Sequence, residues 1–253
     1  MNLLLLRPEE CVSETRAVMR GERAAALVKE HALKAGLSIR AGMRGGKLGR
    51  ALIRSASKDL VEAELELNEK PLARHPILLA IGICRPQTVK KVIQAVTTLG
   101  AAELHFVRTE SAEKSYFSSQ ALHEDAIKEE IDKGLSQAVD TEPPIVTVQK
   151  KFLSFFEDFL PARLKELHWE EEGGTARVIA ATRVQSSALA AVGGKKQRFV
   201  AAVGPEAGWS EFEENRLLEL GFKPITLGER VLRVETAVTA LIAQIQLITS
   251  TGG

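Results

Sequence analysis

The sequence predicts an α/β protein with a mainly parallel sheet, preceded by a small β-rich region. Three observations lead there. From Ile77 onward, strand-like and helix-like segments alternate without interruption. Ile77–Cys84 is a continuous apolar run, the pattern of a strand buried on both faces. Two glycine-containing turns, Val203–Ser210 and Leu227–Ala237, each join a strand-like run to a helix-like one. At such junctions, at the carboxyl ends of the strands, an α/β sheet builds its ligand site.

Taken in order, Leu3–Leu6 reads as a short buried strand and Glu22–Ala35 as a helix. Ser38–Ser57 reads as two strands around a Gly45-Gly46 turn, and Val61–Leu67 alternates apolar with acidic residues as an exposed strand does. Several short strands in so few residues predict a small barrel over residues 1–70. Asn68–Pro76, with two prolines, reads as the linker to a second domain over residues 71–253. There, helices are expected at Gln87–Leu99 (closed by Gly100), His123–Val139, Leu153–Leu167, Glu211–Leu220 and Glu235–Ile248. Strands are expected at Ile77–Cys84, Leu104–Val107, Ile145–Val148, Arg177–Ala181, Phe199–Val203 and Pro224–Leu227. Glu170–Gly174 reads as an exposed loop.

The 253 residues are 45% hydrophobic and 26% charged, ordinary for a globular protein. Aromatics at 5% are too few for a long row of base-stacking rings. Cys11 and Cys84 stand far apart without metal-ligand spacing, and none of the five histidines has ligand spacing, so no metal is expected. Free thiols, no signal-like start and no membrane-length apolar run make the expected setting the cytoplasm, away from membranes. Charge is uneven. Residues 1–60 hold twelve Lys/Arg against six Asp/Glu, a surplus that suggests a polyanion partner. Arg40, Arg44, Lys47, Arg50, Arg54 and Lys58 lead the candidates for contacts to a phosphate backbone, the alternative being a solvated sheet edge.

Neither glycine turn is a dinucleotide fingerprint or a phosphate-binding lysine loop, so the ligand is not expected to be held by its phosphates. In the first, Gly204 permits a tight turn, Pro205 stiffens it and Gly208 lets a ligand approach the main chain. Glu206 is either a ligand acceptor or a cap for the helix near Ser210. In the second, Arg230, Arg233 and Glu235 lie beside Gly228, which suits a site where charge develops on a substrate. His105 is expected to be packed rather than catalytic, and Trp209 either covers a ligand or closes the core.

The two turns and the length between them resemble the RsmE-type enzymes, SPOUT-class methyltransferases that methylate a uridine of 16S ribosomal RNA. Thr97–Leu104, Lys114–Ser119 and Gln137–Pro144 look related too, so the resemblance spans about residues 76–250. Residues 1–70 are similar only in size and strand character to that family's PUA-like RNA-binding barrel. The resemblance implies a trefoil-knotted domain binding S-adenosylmethionine, a homodimer, and small-subunit ribosomal RNA as partner. It places the methyl donor against Thr182, Gly204, Pro205, Glu206, Gly208, Leu227, Gly228, Val231 and Leu232. Arg233 and Glu235 fall where the family keeps its arginine and glutamate, and the implied reaction is methylation of uracil N3. The chain departs from the family at Ala207, usually glycine, and at Asp140, usually arginine. Alternatives are a related enzyme acting on a ribose hydroxyl or another base, or a non-catalytic RNA-binding or ribosome-assembly factor.

Overall fold

The computed structural model describes residues 2–170, 174–180, 187–189 and 197–250. The chain divides into two compact units. The first comprises residues 1–73 and 131–143, and the second residues 74–130 and 144–253.

The first unit holds a six-stranded sheet of order β1-β4-β5-β6-β3-β2. Its strands are β1 (Leu4–Leu6), β2 (Cys11–Ser13), β3 (Arg16–Arg20), β4 (Ser38–Met43), β5 (Leu48–Ala56) and β6 (Leu60–Glu69). Helix α1 (Gly21–His31) is shorter than expected and ends at Ala32, which takes the left-handed conformation. β1 pairs parallel to β4, and the other pairs are antiparallel. The core is Leu4, Leu6, Ala17, Met19, Leu27, Ile53, Val61 and their neighbours. β2 and β3 carry no sequence expectation, because two or three inward residues between arginines and turns are too short an alternation to read. The return segment 131–143 belongs to this unit: Gly45 N–H donates to Thr141 O (2.7 Å) and the Thr141 hydroxyl donates to Gly46 O. Asp140 Oδ1 accepts from the N–H groups of Thr141 (2.7 Å) and Glu142 (3.3 Å), which forms a local turn.

The second unit is built on a seven-stranded sheet, order β11-β13-β10-β12-β7-β8-β9, in which every pairing is parallel. The strands are β7 (His75–Gly82), β8 (Ala101–Val107), β9 (Ile145–Gln149), β10 (Thr175–Ala180), β11 (Ser187–Ala188), β12 (Arg198–Val203) and β13 (Lys223–Thr226). The helices are α2 (Pro86–Thr98), α3 (Glu124–Ala138), α4 (Leu160–Glu166), α5 (Glu211–Glu219) and α6 (Val234–Ser250), with α3 running from this unit into the first. β7 and β12 lie side by side in the interior, and Ile77 to Gly82 are all buried, as the apolar run requires. β6 reaches Glu69 and β7 starts at His75, so the connection is shorter than expected; Pro76 is tolerated at a strand start. The expected helix Leu153–Leu167 is not uniform, since a π-helical run, Ser154–Phe159, precedes α4. Pro161 has no N–H to donate and its ring crowds the preceding turn, which widens it. Residues 171–173 of the expected loop lie outside the described residues.

One face of this sheet is closed by an aromatic cluster. Phe152, Phe155, Phe156, Phe222 and Trp209 are buried together. Trp209 meets Phe152 edge-on with ring centroids 5.9 Å apart. Trp209 is 4% exposed, so it closes the core. Beside it a charged network is sealed in. His105 is fully buried and lies 3.1 Å from Glu103 Oε2, while its other nitrogen is 2.7 Å from Thr147 Oγ1. Gln149 Nε2 donates to that same hydroxyl, and His105 donates to the Glu103 carboxylate, which can only accept. Arg163 donates to both oxygens of Glu103, at 2.7 and 3.0 Å from Oε1. Burial alone would raise the Glu103 carboxyl, but bonds from His105 and Arg163 outweigh it and hold it below its ordinary value. Among the described residues no helix is long and apolar enough to cross a membrane, and no three metal-ligating side chains gather.

Replacing Arg163 with Met strands a buried carboxylate and is expected to cost about 3–5 kcal/mol in urea unfolding. A depressed carboxyl stabilises fully above its unfolded value of about 4.3 and loses that contribution as pH falls through its folded value. The wild-type advantage over the variant should therefore shrink in acid; an advantage independent of pH would contradict the network.

Candidate active site

The carboxyl ends of β10, β12 and β13 open into a cleft of about 1060 Å³, lined by both glycine turns and the first two turns of α2. β12 ends at Val203, and Gly204–Trp209 turns the chain toward α5. A Cβ on Gly82, the last residue of β7, would lie 2.3 Å from Pro205 Cδ and 2.7 Å from Pro205 N. Only glycine lets the turn sit this closely on the neighbouring strand. Gly208 has φ +78°, a conformation costly to any side chain, and its N–H donates to Pro205 O at 2.8 Å.

Side chains brace the turn from several directions. Glu206 Oε1 accepts from the Arg85 N–H and from the Thr88 hydroxyl, both at 3.1 Å. It therefore caps α2, not α5. The cap of α5 is Ser210, whose Oγ accepts from Glu213 N–H while Glu213 Oε2 accepts from Ser210 N–H. Glu213 also accepts the Glu110 N–H at 2.8 Å, and Ser111 Oγ donates to Gly208 O at 2.5 Å.

The second turn is looser. The Thr226 hydroxyl joins the N–H and C=O of Gly228, and Gly228 has φ +128°. Glu229, Arg230 and Arg233 are exposed and Val231 is 86% exposed, and all four line the open cleft. The chain becomes regular again at α6, where Ala237 N–H donates to Arg233 O at 2.8 Å.

Glu235 stands in the first turn of α6. Its carboxyl is held below the ordinary value, first by its own N–H at the helix start, then, against the effect of burial, by Lys91. Lys91 Nζ lies 3.1 Å from Glu235 Oε1. The carboxylate is thus paired with a lysine of α2, while Arg233 acts on it through space. Nothing in the local sequence marks Lys91, because the face that α2 turns to the cleft is set by packing. Cys84 is buried, and burial together with the nearby Glu206 and Glu235 pushes its thiol far up, leaving it protonated and inert.

Gly204, Pro205, Glu206, Gly208, Leu227, Gly228, Val231, Leu232, Arg233 and Glu235 all line this one cleft. Thr182 lies outside the described residues. The basic candidates belong to the other unit, and most are engaged. Arg40 forms two bonds to Glu69 (2.6 and 2.9 Å), Arg54 pairs with Glu64, Arg44 with Asp132 (2.7 Å), and Arg50 bonds Ser38. A boundary at residue 60 separates β5 from β6, whose Glu62, Glu64, Glu66 and Glu69 lie across from it. Counted over the whole unit, fourteen Lys/Arg face thirteen Asp/Glu, so the charge surplus read from residues 1–60 nearly vanishes.

Residues 70–246 match the family described as RNA methyltransferase domain. The chain is 29% identical over 245 residues to a Treponema pallidum protein named ribosomal RNA small subunit methyltransferase E, covering 96% of this chain and 90% of that one. It is 24% identical to a Borreliella burgdorferi protein named ribosomal RNA small subunit methyltransferase E 1, covering 95% of each. Its fold is similar to that of a ribosomal RNA small subunit methyltransferase E from Neisseria gonorrhoeae bound to S-adenosyl methionine, with TM-score 0.75, 22% identity and 98% of both chains covered. A putative methyltransferase from Legionella pneumophila in complex with the same cofactor gives TM-score 0.74 at 20% identity, with 97% of both chains covered.

Gly82→Ala should lower unfolding stability by about 1–3 kcal/mol, read from the urea midpoint; an unchanged midpoint would contradict the close contact with Pro205. Lys91→Met removes a cation beside Glu235 and should raise that carboxyl, read from its side-chain carbon shift against pH. An unmoved titration would show that Lys91 does not hold it.

Proposed function

The chain belongs to the RNA methyltransferase domain family, and on that premise we propose that it transfers a methyl group from S-adenosylmethionine to N3 of a uridine in small-subunit ribosomal RNA. The observation that carries this is a coincidence of place: the matched segment, residues 70–246, contains every residue lining the cleft between the two glycine turns.

The residues present fit the donor. The cleft is slightly larger than the roughly 300–1,000 Å³ usual for small-molecule sites. Space beside Gly208 and Gly228 is open, since a Cβ on either would meet nothing within 4 Å. Main chain at Gly204–Gly208 and Leu227–Leu232 can hold an adenosine and an amino acid. Bound there, the donor supplies an electrophilic methyl on sulfur.

The protein's part is electrostatic. Methylating uracil N3 requires loss of its imide proton, which passes to solvent water at the open cleft, and the remaining negative charge spreads onto two carbonyl oxygens. Arg233, exposed at the cleft, stabilises that charge. Glu235 holds the cations around the base; as a carboxylate kept below its ordinary value it is a weak base, and this role suits it better than taking the proton. The first unit we assign to a PUA-like RNA-binding barrel, with Arg40, Arg44, Lys47, Arg50 and Arg54 on its RNA face, and the second to a trefoil-knotted SPOUT fold. The acting form is a cytoplasmic homodimer. Lys47 and Arg50 are the strongest RNA contacts of that set, because the other three are paired with carboxylates.

Arg233→Ala should lower kcat by more than about tenfold with donor affinity unchanged by calorimetry; full turnover would remove Arg233 from the chemistry. Neutralising Lys47 and Arg50 together should reduce the slope of log affinity against log salt by up to about two, and an unaltered slope would place the RNA elsewhere. Mass mapping of nucleosides after incubation with small ribosomal subunits should find N3-methyluridine. A methylated ribose or another base would replace the substrate assignment, and absence of donor binding would make the chain a non-catalytic RNA-binding factor.

A further inference from the structure

We propose, taking methyl transfer to RNA as given, that the mouth of the cleft contains a receiving site for the target nucleotide: Tyr116 is the platform for its base and Arg85 the partner for a flanking phosphate. Both residues line the cleft. Tyr116 is the only tyrosine of the chain, is partly exposed and lies in the lining of the cleft. Its polar neighbours are the Arg85 guanidinium and the Glu113 carboxylate.

The turn that carries it, Lys114–Ser118, is fastened to the donor side of the cleft. Ser111 Oγ donates to Gly208 O at 2.5 Å, and Glu110 N–H donates to Glu213 Oε1 at 2.8 Å. Within the same segment the Arg108 guanidinium lies 4.2 Å from the centre of the Phe117 ring. The Ser111 and Glu110 bonds tie the segment leading into the Tyr116 turn to the first glycine turn and to α5.

An enzyme that modifies a ring nitrogen must take the base out of its stack and support it by its faces. Single-stranded RNA is recognised by such splayed bases, stacked on aromatic rings or arginine planes. Arg85 is exposed at the start of α2, near Tyr116, Glu206 and Glu113, and its guanidinium is open to a phosphate from the solvent side. Lys91, Arg230 and Arg233, also in the lining, extend this basic rim.

The test is photo-crosslinking of the full chain to small-subunit RNA containing 5-iodouridine, with peptide mapping, alongside methyl-transfer kinetics. Tyr116 should carry the crosslink. Tyr116→Ala should raise KM for RNA by about tenfold or more with donor affinity intact, and Tyr116→Phe, which keeps the ring, should restore most of the loss. A crosslink elsewhere with Tyr116 unmodified, or a wild-type KM in Tyr116→Ala, would overturn the receiving site. Crosslinking at Tyr116 without any methyl transfer by the wild-type chain would instead overturn the methyl-transfer reading and leave the RNA site standing.

Discussion

The close seat of Pro205 on Gly82 is the contact on which the rest of the site depends. A single methyl group at Gly82 would collide with the proline ring and its nitrogen. Because that methyl is missing, the turn after β12 drops against the end of β7. From there Glu206 reaches the start of α2, Ser111 reaches Gly208, and Trp209 enters the aromatic cluster. A packed interior deforms little, so a turn held from so many sides keeps its shape whether or not a ligand is present.

The second turn is built on the opposite plan. Its side chains are mostly exposed, and one threonine hydroxyl organises its glycine. A firm wall facing a yielding one suits a ligand that must enter, react and leave. The charges divide in the same way. Glu206 is committed to capping a helix, while Glu235 is paired with Lys91, and Arg233 stands free of ion pairs among the described residues at the rim.

Much of this was legible in the amino-acid order. The apolar run from Ile77 marked a strand of the sheet interior, and Val203–Ser210 and Leu227–Ala237 marked the two turns, because strand, glycine and helix signals are local. What escaped were facts about which surfaces meet. Lys91, Arg85 and Tyr116 became site residues only when α2 and the Lys114–Ser118 turn came to border the cleft. Pairing between strands also set partners that the charge count could not show: Arg40 of β4 and Arg54 of β5 meet glutamates of β6, and Arg44 meets Asp132 from a segment about ninety residues away in the chain. The π-helical run before α4 was foreshadowed by Pro161, a signal present but unread.

The most direct measurement is the structure of the chain crystallised with S-adenosylmethionine. Density for the donor is expected between Gly204–Gly208 and Leu227–Leu232, contacting main chain, with its methyl group facing the rim that holds Arg233 and Tyr116. A donor bound anywhere else, or a cleft closed by the protein's own side chains, would contradict the assignment of this cleft as the methyl-transfer site.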